Sequence, residues 1–119
     1  MAQEDLNRKV DLAFLAAFYG GLLTENQRRI LSLHCEEDFS LGEIAEEVGI
    51  SRQAVHESLS RAASRLNGLE AALGVAERFR RMESGLESAL EALRDHEYTL
   101  AEKTLEDLRR LDREEKDGL

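Results

Sequence analysis

The chain has 119 residues with 16 basic and 25 acidic side chains, no Pro and few aromatics, which admits one domain or one domain with a helical extension and a core that needs no cross-links. The single Cys35 excludes an internal disulfide framework and fits a reducing compartment, and the one Cys and three His lack ligand spacing, so no structural zinc and no cofactor are expected. Net charge is −9, distributed as −3 over residues 1–39, −1 over 40–66 and −5 over 67–119. No segment therefore carries the basic footprint of a free-standing DNA binder.

The spacing predicts a first helix from about Gln3 to Tyr19 that buries Val10, Phe14, Leu15 and Phe18, with Gly20-Gly21 breaking it. The apolar run Leu12 to Leu23 is too short to span a bilayer. Acidic Glu4, Asp5 and Asp11 precede it, with no small-residue cleavage pattern. The expectation is a buried helix, a cytoplasmic protein and no membrane insertion. Thr24 opens a second helix with Gln27 in the capping-box position, and Leu23, Ile30, Leu31 and Leu33 face inward. Glu36-Glu37-Asp38 makes a hydrophilic connection, with Phe39 tucked into the core.

Residues 40–66 read as a helix-turn-helix. Ser40 and Glu43 form a capping box ahead of Ile44, Ala45 and Val48. Gly49 stands where the backbone must turn sharply, and Ile50 plugs the corner. Ser51 caps a second helix whose inner face is Ala54, Val55, Leu59 and Ala62, and small Ala45 lets the two helices approach. This second helix runs on to about Ala72, past Gly68, and Gly74 marks a boundary. The expected domains are thus 1–73, holding the helix-turn-helix, and 74–119, a helical hairpin.

In the second segment Val75, Phe79, Met82, Leu86, Ala89 and Leu93 follow 4,3 spacing along one stripe. Asp95-His96-Glu97 interrupts it, and Thr99 with Glu102 reads as a further capping box. Leu100, Leu105, Leu108 and Leu111 line a last helix, with Glu114 to Leu119 expected to fray. The short connection makes the pair an antiparallel αα-hairpin. Two such helices must pack on something. The stripe is open to three readings: it folds back on residues 1–72, seals a homodimer, or receives a partner.

The candidate contact residues are Ser51, Arg52, Gln53, His56, Ser60, Arg61 and Arg65, on the outward side of the second motif helix. Arg and Gln have the donor geometry for guanine and adenine edges or for phosphates. The plain alternative is a solvated helix face, and Glu57 among them repels phosphate. His34, Cys35, His56 and His96 are scattered, with no nucleophile–base–orienter set, so no catalytic residue and no metal ligand is expected and the chain reads as a non-enzyme.

Residues 22–73 resemble the four-helix promoter-binding tail, region 4, of bacterial sigma factors. A closer resemblance is to the small YlxM-type helix-turn-helix proteins. It rests on Phe18-Tyr19, Leu22-Leu23-Thr24 with Gln27, and Phe39-Ser40-Leu41 with Glu43-Ile44-Ala45-Glu46-Glu47. Ile50-Ser51-Arg52-Gln53-Ala54-Val55 completes it, extended weakly by Leu69-Glu70 and Leu73. The pattern departs at His34-Cys35, His56 and Glu57-Ser58, and residues 75–119 match only in being helical and charged. The resemblance implies an all-α, non-enzymatic accessory of the bacterial signal recognition particle that binds its GTPase subunit, its RNA or both. The helix-turn-helix taken alone implies the alternative, a DNA-binding transcriptional regulator.

Overall fold

The computed structural model describes residues 2–117, and its regular structure there is entirely helical. The helices are α1 (Ala2–Tyr19), α2 (Glu25–Cys35), α3 (Leu41–Val48), α4 (Arg52–Leu73), α5 (Val75–Arg94) and α6 (Tyr98–Asp117), with a 3₁₀ turn at Gly20–Leu22. They divide into two compact units, Met1–Ala76 and Glu77–Leu119.

The first unit is built by local signals that agree with its packing. In α2 the Thr24 hydroxyl accepts the Gln27 amide at 3.1 Å while the Gln27 side chain accepts the Thr24 amide at 3.1 Å. Ser40 and Glu43 make the same reciprocal pair at the start of α3, at 3.1 and 3.0 Å. Each satisfies two helix-start donors that have no intrahelical partner. Two apolar clusters hold the four helices. Leu15, Tyr19, Leu23, Leu31, Ala62 and Leu66 join α1, α2 and α4. Ile30, Ile44 and Val55, all fully buried, join α2, α3 and α4 beneath the helix-turn-helix. Each of these three contributes about 1.5–3 kcal/mol by leaving water. Leu59 packs against both clusters and ties them together.

Two details of α1 differ from expectation. Val10 is exposed, because at about 100° per residue it lies far around the helix from Leu15. Tyr19, not singled out for the core, is among its most buried members. Its hydroxyl donates to Glu70 Oε1 at 2.6 Å and accepts the Val75 amide at 3.1 Å, while the same Glu70 oxygen accepts the Ala76 amide at 3.0 Å. The pair thereby caps the first turn of α5 and fastens the end of α4 to α1. Gly68 leaves α4 unbroken, and the helix closes at Gly74.

In the second unit α5 ends in a Schellman arrangement. The Glu97 amide donates to the Ala92 carbonyl at 2.8 Å and the His96 amide to the Leu93 carbonyl at 3.1 Å, with His96 at φ 60°. Glu97 then starts α6 by accepting the Ala101 amide at 3.0 Å. Thr99 is therefore inside α6 and is not its cap. The left-handed residue at His96 reverses the chain two positions earlier than a capping box at Thr99 would require.

The buried residues of this unit agree with the expected stripes only in part. Ala89 of α5 and Leu108 of α6 are buried as expected, joined by Ala92 and Ala101, which were not singled out. The Leu108 side chain lies over Gly85, where an added Cβ would come within 2.3 Å of its Cδ2. Val75, Phe79, Leu86, Leu93, Leu100 and Leu105 are each more than 40% exposed. Helix α6 extends through Asp117, and Gly118 and Leu119, the end of the segment expected to fray, lie outside the described residues.

Candidate nucleic-acid interface

Helices α3 and α4 meet through a three-residue turn, Gly49-Ile50-Ser51. Gly49 takes φ 80°, a conformation that costs a residue with a Cβ. Its amide and that of Ile50 both donate to the Ala45 carbonyl, at 2.9 and 3.1 Å, which closes α3. The Ser51 hydroxyl accepts the Ala54 amide at 3.0 Å and opens α4. Ser51 thus positions the helix, and its hydroxyl acceptor is already engaged.

The other candidates separate into two neighbourhoods. Arg52 folds back over α3. An added Cβ at Gly42 would meet its Nη2 at 2.9 Å and its Nε at 3.0 Å, so the guanidinium lies against the bare backbone of that glycine. His56 and Ser60 turn the same way, into a groove of 690 Å³ between α1, the α2–α3 connection, α3 and α4. Gln53, Arg61 and Arg65 follow a second line, at i, i+8 and i+12, with Glu57 at i+4. All four are exposed. The Gln53 amide donates to Glu57 Oε1 at 3.4 Å, so the carboxylate on this line is partly satisfied from within it.

The groove brings in residues the motif did not indicate. Apolar Leu12, Phe39 and Leu59 line it together with Lys9 and His34. Lys9 pairs with Asp38, which holds the left-handed φ of 56° at the end of the α2–α3 connection. The hydrogen bond from Lys9, reinforced by its charge, holds the Asp38 carboxyl below the usual carboxylate range. Burial, with a further contribution from the Lys9 ammonium, lowers the His34 imidazole, whose Nδ1 is buried without a hydrogen-bond partner. No local pattern in the chain joins Lys9 to a residue 29 positions later; only the packing of α1 does.

Burial raises the Cys35 thiol above its ordinary value, so it keeps its proton at neutral pH. Among the described residues no three His, Cys, Asp or Glu side chains converge to hold a metal ion. No described helix is long and apolar enough to cross a membrane.

Comparison with known proteins relates the chain, by its sequence, to one family. The family model UPF0122, described as "Putative helix-turn-helix protein, YlxM / p13 like", matches residues 6–108. A UPF0122 protein of Symbiobacterium thermophilum is 43% identical over 99 residues, covering 82% of this chain and 92% of that protein. A UPF0122 protein of Latilactobacillus sakei subsp. sakei is 38% identical over 107 residues, 87% and 94% of the two chains. One from Desulforamulus reducens is 40% identical over 89 residues, 75% and 76%.

Proposed function

This chain belongs to the UPF0122 helix-turn-helix family, and on that premise we propose that it is a regulatory protein that binds nucleic acid through α4, with duplex DNA as the first ligand. One observation carries the reading. The helix-turn-helix is fully formed, and α4 presents Gln53, Arg61 and Arg65 to solvent along one line. That is the disposition of a recognition helix that enters a groove. Gln53 near the helix start suits a base edge, and Arg61 and Arg65 suit phosphates. Because the whole chain carries −9, affinity rests on this local strip and falls steeply with salt.

Selection from random duplexes tests it. Enrichment of a sequence, lost in Gln53→Ala and weakened uniformly in Arg61→Ala, supports the reading, whereas no retained duplex at low salt rejects it.

A second reading keeps the link implied by the resemblance: action in the cytoplasm on the signal recognition particle, through its GTPase subunit or its RNA. The acidic balance favours it, since an acidic body suits a basic protein partner, and Glu57 sits between Gln53 and Arg61 on the strip. Pull-down with the purified particle that recovers neither its protein nor its RNA at low salt would reject this second reading and leave the first intact.

A further inference from the structure

The hairpin α5–α6 places its small residues inside and its large ones outside. Ala89, Ala92 and Ala101 are almost wholly buried, and Gly85 gives its surface to Leu108. Phe79, Leu86, Leu90 and Leu93 of α5 stand 42–46% exposed at spacings of 7, 4 and 3, which align them on one stripe. On α6, Tyr98 and Leu105, seven residues apart, stand 62% and 44% exposed. In right-handed helices running antiparallel these two stripes fall on the same side of the hairpin. Leu108 is buried over Gly85, yet Leu86, Leu90, Leu93 and Leu105 are left in water. That arrangement is costly unless another surface meets them.

We propose that this face pairs with the same face of a second copy, antiparallel and about a two-fold axis, to make a four-helix bundle. Two observations select a second copy over other occupants. The first is charge. Residues 85–105, around the loop, carry five acids and two bases, while residues 75–84 and 106–117, at the open end, carry seven bases, six of them arginines, and eight acids. Antiparallel pairing sets the acidic loop of one hairpin against the balanced, arginine-rich end of the other, twice over. Parallel pairing would set the acidic loops together. The second is area. The remaining exposure of these six residues amounts to about 500 Å² per copy, and the stems of flanking Glu and Arg extend it toward the ~800 Å² per partner of a stable complex. A two-fold operator also closes the assembly, so no apolar stripe is left to propagate a filament. The pairing does not depend on nucleic-acid binding, although it would bring two recognition helices together.

Equilibrium sedimentation of the full chain from about 1 to about 100 µM tests the pairing. The expected result is a mass that rises to twice 13.4 kDa. A single 13.4 kDa species throughout overturns the proposal, including the case in which Leu90→Cys is shielded from thiol reagents in that monomer. Leu86→Glu with Leu90→Glu should give a helical monomer; a persistent dimer overturns the assignment of the face. Should that variant lose its helices, Leu90→Ala should weaken dimerisation by at least tenfold, and an unchanged dissociation constant would count against it. In a Cys35→Ser background, Leu86→Cys, near the middle of the hairpin, should cross-link to itself between copies. Faster self-linking through Phe79→Cys would mean parallel pairing and would overturn the antiparallel arrangement.

Discussion

Tyr19→Phe removes one oxygen from the point where three helices meet, and its effect can be worked from the geometry. The lost hydroxyl donates to the Glu70 carboxylate at 2.6 Å and accepts the Val75 amide at 3.1 Å, from a side chain only 3% exposed. A hydrogen bond to a charged group contributes about 1.5–3 kcal/mol net. The Val75 amide is at the exposed first turn of α5, where water replaces the phenol, so it adds little. We expect a loss of about 2 kcal/mol, which for a unit of this size lowers Tm by roughly 10 °C. Glu70→Gln keeps an acceptor and should cost less, whereas Glu70→Ala also strips the Ala76 amide and should cost at least as much. Urea unfolding followed by circular dichroism, with the double variant completing a cycle, should give a coupling of about 1–2 kcal/mol. A Tyr19→Phe protein within ~0.5 kcal/mol of the parent would refute the claim that this contact fastens the end of α4, with Val75 and Ala76, to α1. A pH signature follows. Burial, and then the bond to Glu70, raises the phenol above 10.0, so its stabilisation is complete below that value and is lost as pH rises through the folded value. Tyr19→Phe should abolish this alkaline loss.

Gly49→Ala puts a Cβ on a residue at φ 80° and should destabilise the first unit by about 1–2 kcal/mol in the same unfolding assay. Gly42→Ala displaces only the flexible end of Arg52, so stability should stay level or rise by up to ~1 kcal/mol, and the released guanidinium should tighten duplex binding in a filter assay. His34 has a lowered folded pKa, through burial and then Lys9, so its share of stability is present above 6.5 and is lost as pH falls below it. The urea midpoint of His34→Gln should flatten in that range. Hydrogen bonds from Ser40 lower Glu43 in the same sense, so its share is present above 4.5 and fades below. Glu43→Gln should flatten that lower limb.

Features legible in the sequence were those written locally. Thr24 with Gln27, Ser40 with Glu43, Ser51 and Gly49 each specify a helix end through residues within a few positions, and all four perform as their chemistry dictates. The inner residues Ile30, Ile44 and Val55 followed from helical spacing because α2, α3 and α4 are amphipathic. Contacts between distant positions were not legible. Tyr19 and Glu70 lie 51 residues apart, and Lys9 and Asp38 lie 29 apart. No local pattern marks either pair. The hairpin misled for a different reason. Hydropathy gives leucine more weight than alanine, so the 4,3 stripe grouped Ala89 with large residues that stay exposed, while Gly85, Ala92 and Ala101, which offer the flatter surface, were not singled out. The candidate contact residues were placed only in part by the sequence. All seven lie on α4 or at its cap, but Ser51 is committed to capping, Arg52 leans on Gly42, and His56 and Ser60 line a groove apart from Gln53, Arg61 and Arg65.

The central claim is that α4 binds nucleic acid through a local cationic strip on an acidic protein. The most direct test is the salt dependence of binding to a selected duplex, for the parent and for Arg61→Ala and Arg65→Ala. Log K should fall linearly with log salt, and each substitution should reduce the slope by about 0.9, as expected when one phosphate contact is lost. Binding that is absent at low salt, or a slope that neither substitution changes, would contradict it.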